Sequence, residues 1–365
     1  MFLAAKGPGV GAFEWRRHFD QRFGNLPSLV YAIGFPQWKR RFVRQCFSPR
    51  TVRFVPVDTK VPGNACAVVW GAAPTPVGLA SEGRLLRLED GFLRSVGLGA
   101  DIVRPLSWAL DSAGIYYDSR SPSDLESILS NIHLDDDFLA RARRLRERIL
   151  DAKLTKYNVD AGAWIRPAGD RKVILVPGQV ESDASIRCAA PGVRHNIELL
   201  RAVREQSPDA FILYKPHPDV VARMRAAGQD EAKATYWCDE IITTVAMGPL
   251  LDAVDEVHVI TSLAGFEALL RGKRVICYGQ PFYAGWGLTQ DRVPLPRRQR
   301  KLSIEELVAG ALIEYPLYFR RDGKGLATVE ETLEDLIAWR KRAGGRNPWW
   351  FEGYRTIVRR IAGVR

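Results

Sequence analysis

The chain has 365 residues, 46% of them hydrophobic, which is enough for two α/β domains because a single core stops growing near ~250–300 residues. A formal charge of +11, from 53 Lys and Arg against 42 Asp and Glu, points to anionic partners, but no nucleic-acid motif or internal repeat accompanies it. No apolar run nears the ~18 residues of a membrane span, the N-terminus lacks a signal-like apolar core, and the five cysteines lie apart with no C-x-x-C; a cytoplasmic protein without disulfide framework or zinc site is expected.

Residues 28–34 read as a first strand and 36–46 as a basic helix behind it. Further strands are expected at 52–55, 65–70 and 84–88, with Gly/Pro-rich connections that suit a parallel sheet with crossovers. The last of them delivers Glu89-Asp90-Gly91-Phe92-Leu93-Arg94-Ser95 at its carboxyl end, where ligands of open α/β sheets gather. Two adjacent carboxylates beside Arg94, if buried, would have their pKa values pushed apart so that one serves as acid or base near neutral pH. Asp-Gly is equally an ordinary turn.

Residues 105–111 then read as a short helix and 114–118 as a strand, followed by a well-capped helix from Ser121 and an exposed, arginine-rich amphipathic helix over 136–153. The Gly/Pro-containing stretch 157–171 reads as the interdomain linker. The domains expected are therefore 1–160 and 161–330, with C-terminal helices and a tail over 331–365.

The second domain opens with a β-branched strand at 172–176 that runs into Gln179, Glu181 and Asp183. Glu181 and Asp183 are two apart, so in an extended loop only one of them points into a site, and Asp183 is also suited to cap a helix. After a helix at 196–206 and a strand at 210–214 comes Lys215-Pro216-His217-Pro218-Asp219. Here a fixed cation and an imidazole are held by flanking prolines with little freedom to lose, which suits the phosphate of a sugar nucleotide.

A strand at 257–260 then leads through Thr261-Ser262-Leu263-Ala264-Gly265 into a helix that ends at Gly272. Hydroxyls and free N–H groups at a helix start favour an anion, although an isolated Thr-Ser pair also serves simply as a cap. After a strand at 274–278, the loop 279–287 sets Phe282, Tyr283 and Trp286 among glycines, a composition able to wall a flat or ring-shaped ligand beside that phosphate. Ser303-Ile304-Glu305-Glu306 fits a capping box, and helices are expected at 303–312 and 329–342. The tail 349–361 mixes Trp, Phe and Tyr with Arg in the manner of an interfacial segment on an anionic bilayer; a last helix docking on the protein's own core would read the same way.

Taken together, EDGFLRSVGLGAD, PLSWALDSAGIYYD, VPGQVESDASI, YKPHPD, TSLAGFEALLRG and YGQPFYAGWG resemble the bacterial capsule polysaccharide biosynthesis and export family, whose members include β-Kdo (3-deoxy-D-manno-oct-2-ulosonic acid) transferases. The resemblance implies an α/β, GT-B-like architecture, two Rossmann-like domains facing across a cleft with the nucleotide donor held by the C-terminal one. It implies transfer of Kdo from CMP-Kdo to a glycolipid or Kdo-containing acceptor, with retention of configuration, and no metal or other cofactor. Glu89 and Asp90 become the acid/base candidates, and Asp183, in competition with Glu181, the nucleophile. Lys215, His217 and Pro218 join Thr261 and Ser262 around the CMP phosphate. Gln179, Gly265, Glu267, Tyr283 and Trp286 complete the donor site. Large members carry two catalytic modules where this chain has room for one. The rival expectations are another CMP-sugar such as sialic acid, or a non-catalytic capsule assembly or export protein; peripheral attachment to the inner membrane would run through the tail.

Overall fold

The computed structural model describes residues 19–24, 26–95, 105–155, 164–320 and 325–343. The aromatic, basic tail, part of the 157–171 linker and the end of the first motif lie outside them. In chain order the strands are β1 (Leu29–Ile33), β2 (Thr51–Val55), β3 (Cys66–Trp70), β4 (Arg84–Asp90), β5 (Ser107–Asp111), β6 (Val173–Pro177), β7 (Phe211–Lys215), β8 (Glu240–Ile241), β9 (Glu256–Val259), β10 (Arg274–Cys277), β11 (Gln290–Asp291), β12 (Pro316–Phe319) and β13 (Leu326–Ala327). The helices are α1 (Gln37–Phe47), α2 (Asp124–Asn131), α3 (Asp136–Asp151), α4 (Ala184–Ala189), α5 (Asn196–Gln206), α6 (Pro218–Val221), α7 (Met247–Ala253), α8 (Leu263–Leu270), α9 (Ile304–Val308) and α10 (Val329–Ala343).

Two units emerge, each around its own sheet. The first has a seven-stranded sheet in the order β13-β12-β5-β4-β3-β1-β2. Its β1–β4 are parallel, as expected, but β5, β12 and β13 add antiparallel, so the sheet is mixed. Residues 107–111, expected as helix, are strand, because Ser-Trp-Ala-Leu-Asp is buried on both faces and so carries no two-residue alternation to read. Conversely, 114–118 form a turn, tied by the Asp118 N–H to the Ile115 carbonyl, and not a strand.

The division of the chain also differs from the expected boundaries. Residues 310–320 and 325–335 belong to the first unit, since β12 pairs with β5, and 132–155 belong to the second, where Arg146 of α3 bonds Glu305 of α9 at 3.0 Å.

The core of the first unit gathers Val30, Val68, Leu86, Leu88 and Trp108 with α1 residues Val43, Cys46 and Phe47. One polar hub is built into it. Asp111, fully buried, accepts from the N–H groups of Ala113 (3.0 Å), Gly114 (2.7 Å) and Asp124 (3.0 Å) and from the Tyr315 hydroxyl (2.9 Å). Burial and the nearby Asp124 raise its pKa, and the bonds it accepts work against that rise. Asp111→Ala leaves buried donors unpaired, and a loss of about 3–5 kcal/mol in urea unfolding is expected. A loss below about 1 kcal/mol would show that the hub contributes nothing specific.

The second unit is a six-stranded, all-parallel sheet, β11-β10-β9-β6-β7-β8. Counted from β6, its strands run in the 3-2-1-4-5-6 order of dinucleotide-binding folds read from the β8 edge. Its switch point lies between β6 and β9. The Ser303 capping box is present, Ser303 Oγ accepting from the Glu306 N–H at 3.1 Å. Among the described residues no helix is long and apolar enough to cross a membrane.

Candidate active site

In the first unit, Glu89 and Asp90 close β4 and leave it on opposite faces, as consecutive strand residues must. The two carboxylates are therefore set apart by the sheet. Asp90 shares the face of Leu86 and Leu88; its Oδ2 accepts from Arg94 Nε at 2.6 Å, while its Oδ1 is buried with no hydrogen-bond partner among the described residues. Glu89 turns to the other side, where Oε1 accepts from the Asp90 N–H (2.9 Å) and Oε2 lies 3.4 Å from the Tyr117 hydroxyl. Of the two carboxylates, Asp90 has an oxygen that the protein leaves unsatisfied, and a buried acceptor without a donor is the exception in folded proteins.

The second unit builds its polar groups at the carboxyl ends of β6, β7 and β9. Gln179 follows β6 and is locked on three sides. Its side-chain amide pairs reciprocally with Thr261, Nε2 to Oγ1 at 3.0 Å and the Thr261 N–H to Oε1 at 2.8 Å. Its backbone N–H and carbonyl are both met by the Asn196 side chain at 2.9 Å. Gln179 thus ties the β6 loop to the β9 loop across the switch point, and the Thr261 hydroxyl expected to face a phosphate is engaged in that tie.

Glu181 and Asp183 separate clearly. Glu181 accepts from the N–H groups of Asn196 (2.8 Å) and Gln229 (2.9 Å) and pairs with His195 Nδ1 at 2.8 Å, a bond that raises the imidazole pKa. Both its oxygens are engaged in clamping the start of α5. Asp183 occupies the cap position of α4 yet makes no side-chain capping bond, and it is exposed. The roles of Asn196 and His195 are not legible in sequence, since each acts on a loop that lies earlier in the chain.

Lys215, buried, ends β7, and its carbonyl accepts from the Gly178 N–H at 2.8 Å, joining the β7 and β6 loops. His217 stands before Pro218, the first residue of α6, and its Nδ1 accepts from the Asp219 N–H at 3.1 Å. In the neutral ring that bond puts the proton on Nε2, which becomes a donor. Ser262 caps α8 through Oγ, accepting from the Ala264 N–H at 3.3 Å. Glu267 lies buried within the same helix.

The aromatic loop corrects an expectation. Tyr283 and Trp286 are fully buried and offer no face to a ligand. Tyr283 donates to the Ser262 carbonyl, and Trp286 Nε1 donates to the Phe282 carbonyl at 2.9 Å. Gly265 is what admits this packing, since a Cβ there would collide with the Tyr283 hydroxyl. Tyr283 thereby supports the Ser262 turn from within the protein. Among the described residues no group of three or more His, Cys, Asp or Glu side chains is placed to share a metal ion.

Two sheet-centred α/β units with polar loops at the carboxyl ends of their parallel strands define a GT-B-like fold. Residues 73–319 match the model of the family described as capsule polysaccharide biosynthesis protein, and the chain belongs to that family. It is 42% identical over 322 residues to the capsule polysaccharide modification protein LipA of Neisseria meningitidis serogroup B, covering 86% of this chain but 46% of LipA, so it spans about half the length of that relative. To the lipopolysaccharide-processing protein LpsZ of Rhizobium meliloti it is 40% identical over 346 residues, 90% of this chain and 79% of LpsZ. Two solved structures of Thermosulfurimonas dismutans KpsC are also similar. Its β-Kdo 2,7 transferase matches at a TM-score of 0.71 with 40% identity, over 85% of this chain and 98% of that one. Its β-Kdo 2,4 transferase matches at 0.72 with 30% identity and the same coverages.

Proposed function

We propose that this chain is a glycosyltransferase that moves Kdo from CMP-Kdo to a saccharide or glycolipid acceptor in capsule polysaccharide biosynthesis, with retention of configuration. The observation that carries the reading is the likeness to a β-Kdo 2,7 transferase along nearly the whole of that chain. In this reading the second unit holds the donor. Departure of CMP places negative charge on the leaving phosphate, and Lys215, the His217 Nε2–H and the Ser262 turn are the groups that stabilise it. The same departure leaves an oxocarbenium-like centre, which a carboxylate attacks.

Asp183 is that carboxylate. It is the member of the loop that is exposed and makes no side-chain capping bond, whereas Glu181 is committed to Asn196, Gln229 and His195. A bond forms from Asp183 to the anomeric carbon as the bond to the CMP oxygen breaks. Asp90 then takes the proton of the acceptor hydroxyl as that oxygen displaces Asp183. Attachment to an anionic membrane surface, through the tail, is part of the same proposal.

The reading is tested by intact-mass measurement of the protein after incubation with CMP-Kdo and no acceptor. A gain of one Kdo in the wild type, absent in Asp183→Ala and retained in Glu181→Gln, is expected. Accumulation in Asp183→Ala would move the nucleophile elsewhere.

A further inference from the structure

The first unit carries a cation that the reaction as described does not use. After β1 the chain turns at residues 34–36 into α1, which sets Lys39 in the first turn, at the carboxyl end of the parallel strands. With β1 flanked by β2 on one side and β3 on the other, the switch point of this sheet lies between β1 and β3, the position where open α/β sheets bind ligands. Lys39 Nζ sits there, 2.8 Å from the ring centroid of Trp70, the last residue of β3, and 5.1 Å from that of Trp38.

Two groups at this edge are left incomplete. The Lys39 ammonium is partly withdrawn from water, and among the described residues no carboxylate or carbonyl bonds it. Burial holds its pKa down to about 8, against the opposing pull of Asp90 and Glu89. Asp90, which it feels electrostatically, commits Oδ2 to Arg94 and keeps Oδ1 buried without a donor among the described residues. A withdrawn cation without a bonded anion, and a buried acceptor without a donor, each cost free energy that a ligand of matching chemistry recovers. Arg94 already serves as the direct charge partner of Asp90, so Lys39 is not required for that purpose.

We propose that Lys39 receives the carboxylate of an acidic sugar whose hydroxyl is presented to Asp90 Oδ1, so that the first unit selects its acceptor by charge. The inference rests on the Asp90 role given above. A carboxylate fits better than a phosphate monoester, because a single ammonium that also feels the charges of Asp90 and Glu89 favours a monoanion over a dianion. Trp38, 37% exposed beside it, offers an apolar face to a sugar ring.

The test is calorimetric titration of the full chain with a methyl glycoside of Kdo, which lacks the nucleotide, and with its carboxamide. The wild type is expected to bind the carboxylate about 10- to 100-fold more tightly than the amide. Lys39→Met should abolish that preference while CMP binding and the unfolding midpoint are not reduced, and Lys39→Arg should keep most of it. Equal binding of the two glycosides by the wild type, binding of neither, or an undiminished preference in Lys39→Met overturns the proposal. Charge-selective binding without any transfer from CMP-Kdo would instead count against the enzymatic reading and leave the recognition intact.

Discussion

Asp90→Asn is expected to lower kcat/KM for transfer by about 100- to 10,000-fold, the range removed with a general base, while leaving the protein folded. The substitution is isosteric. The asparagine carbonyl oxygen can still accept from Arg94 Nε, where Oδ2 does so at 2.6 Å, and the amide nitrogen then takes the place of the buried, unpartnered Oδ1. Packing around the site is unchanged because the two side chains are the same size. What disappears is the capacity to remove a proton, together with the negative charge that faces the buried Arg94 guanidinium. Steady-state kinetics beside a thermal melt check this: a large fall in kcat/KM with a melt that stays cooperative, its midpoint lowered by loss of the charge facing Arg94, is the expected pair. Turnover within about threefold of wild type would remove Asp90 from the chemistry. Glu89→Gln is expected to do much less, since that side chain faces Tyr117 and its own backbone neighbour.

His217→Ala is the second large effect, a fall of about 100- to 1,000-fold that appears in kcat, as when one preorganised donor to a developing anion is removed. The imidazole is held by the Asp219 N–H on Nδ1, so the proton of the neutral ring sits on Nε2 before substrate arrives. Loss of that bond also uncaps α6, but a cap on the short helix Pro218–Val221 costs about 1 kcal/mol and does not unfold the sheet. His217→Gln, which retains a donor, should recover part of the rate. A change confined to KM would mean that the ring binds the donor equally in ground and transition states and does not act on the departing phosphate.

Much of this layout is legible without coordinates. Strands β6 and β7 are apolar runs that give way to Gln179 and Lys215, and together with the Thr-Ser turn after β9 these ends fall on one edge of a parallel sheet; β4 ends in its acidic pair in the other sheet. What escapes has physical reasons. β5 has no alternation because both its faces are buried, and β12 and β13 are short pieces that acquire strand geometry only by pairing with β5 and with each other.

The aromatic loop misleads because composition does not distinguish a ring offered to solvent from one packed beneath a helix. Only the space left at Gly265 reveals where Tyr283 goes. Lys39 is hidden for a related reason, as one basic residue among several in α1, given meaning by Trp70 and Asp90 from later strands. The competition between Glu181 and Asp183 likewise turns on partners remote in sequence, since His195, Asn196 and Gln229 all engage Glu181.

The most direct measurement is to offer the purified protein a panel of CMP-sugars with a Kdo-terminated synthetic acceptor and weigh the products. An acceptor heavier by one Kdo unit, formed with release of CMP and only from CMP-Kdo, is the expected result. Product from CMP-sialic acid in its place, or no product from any donor while CMP-Kdo is demonstrably bound, would contradict it.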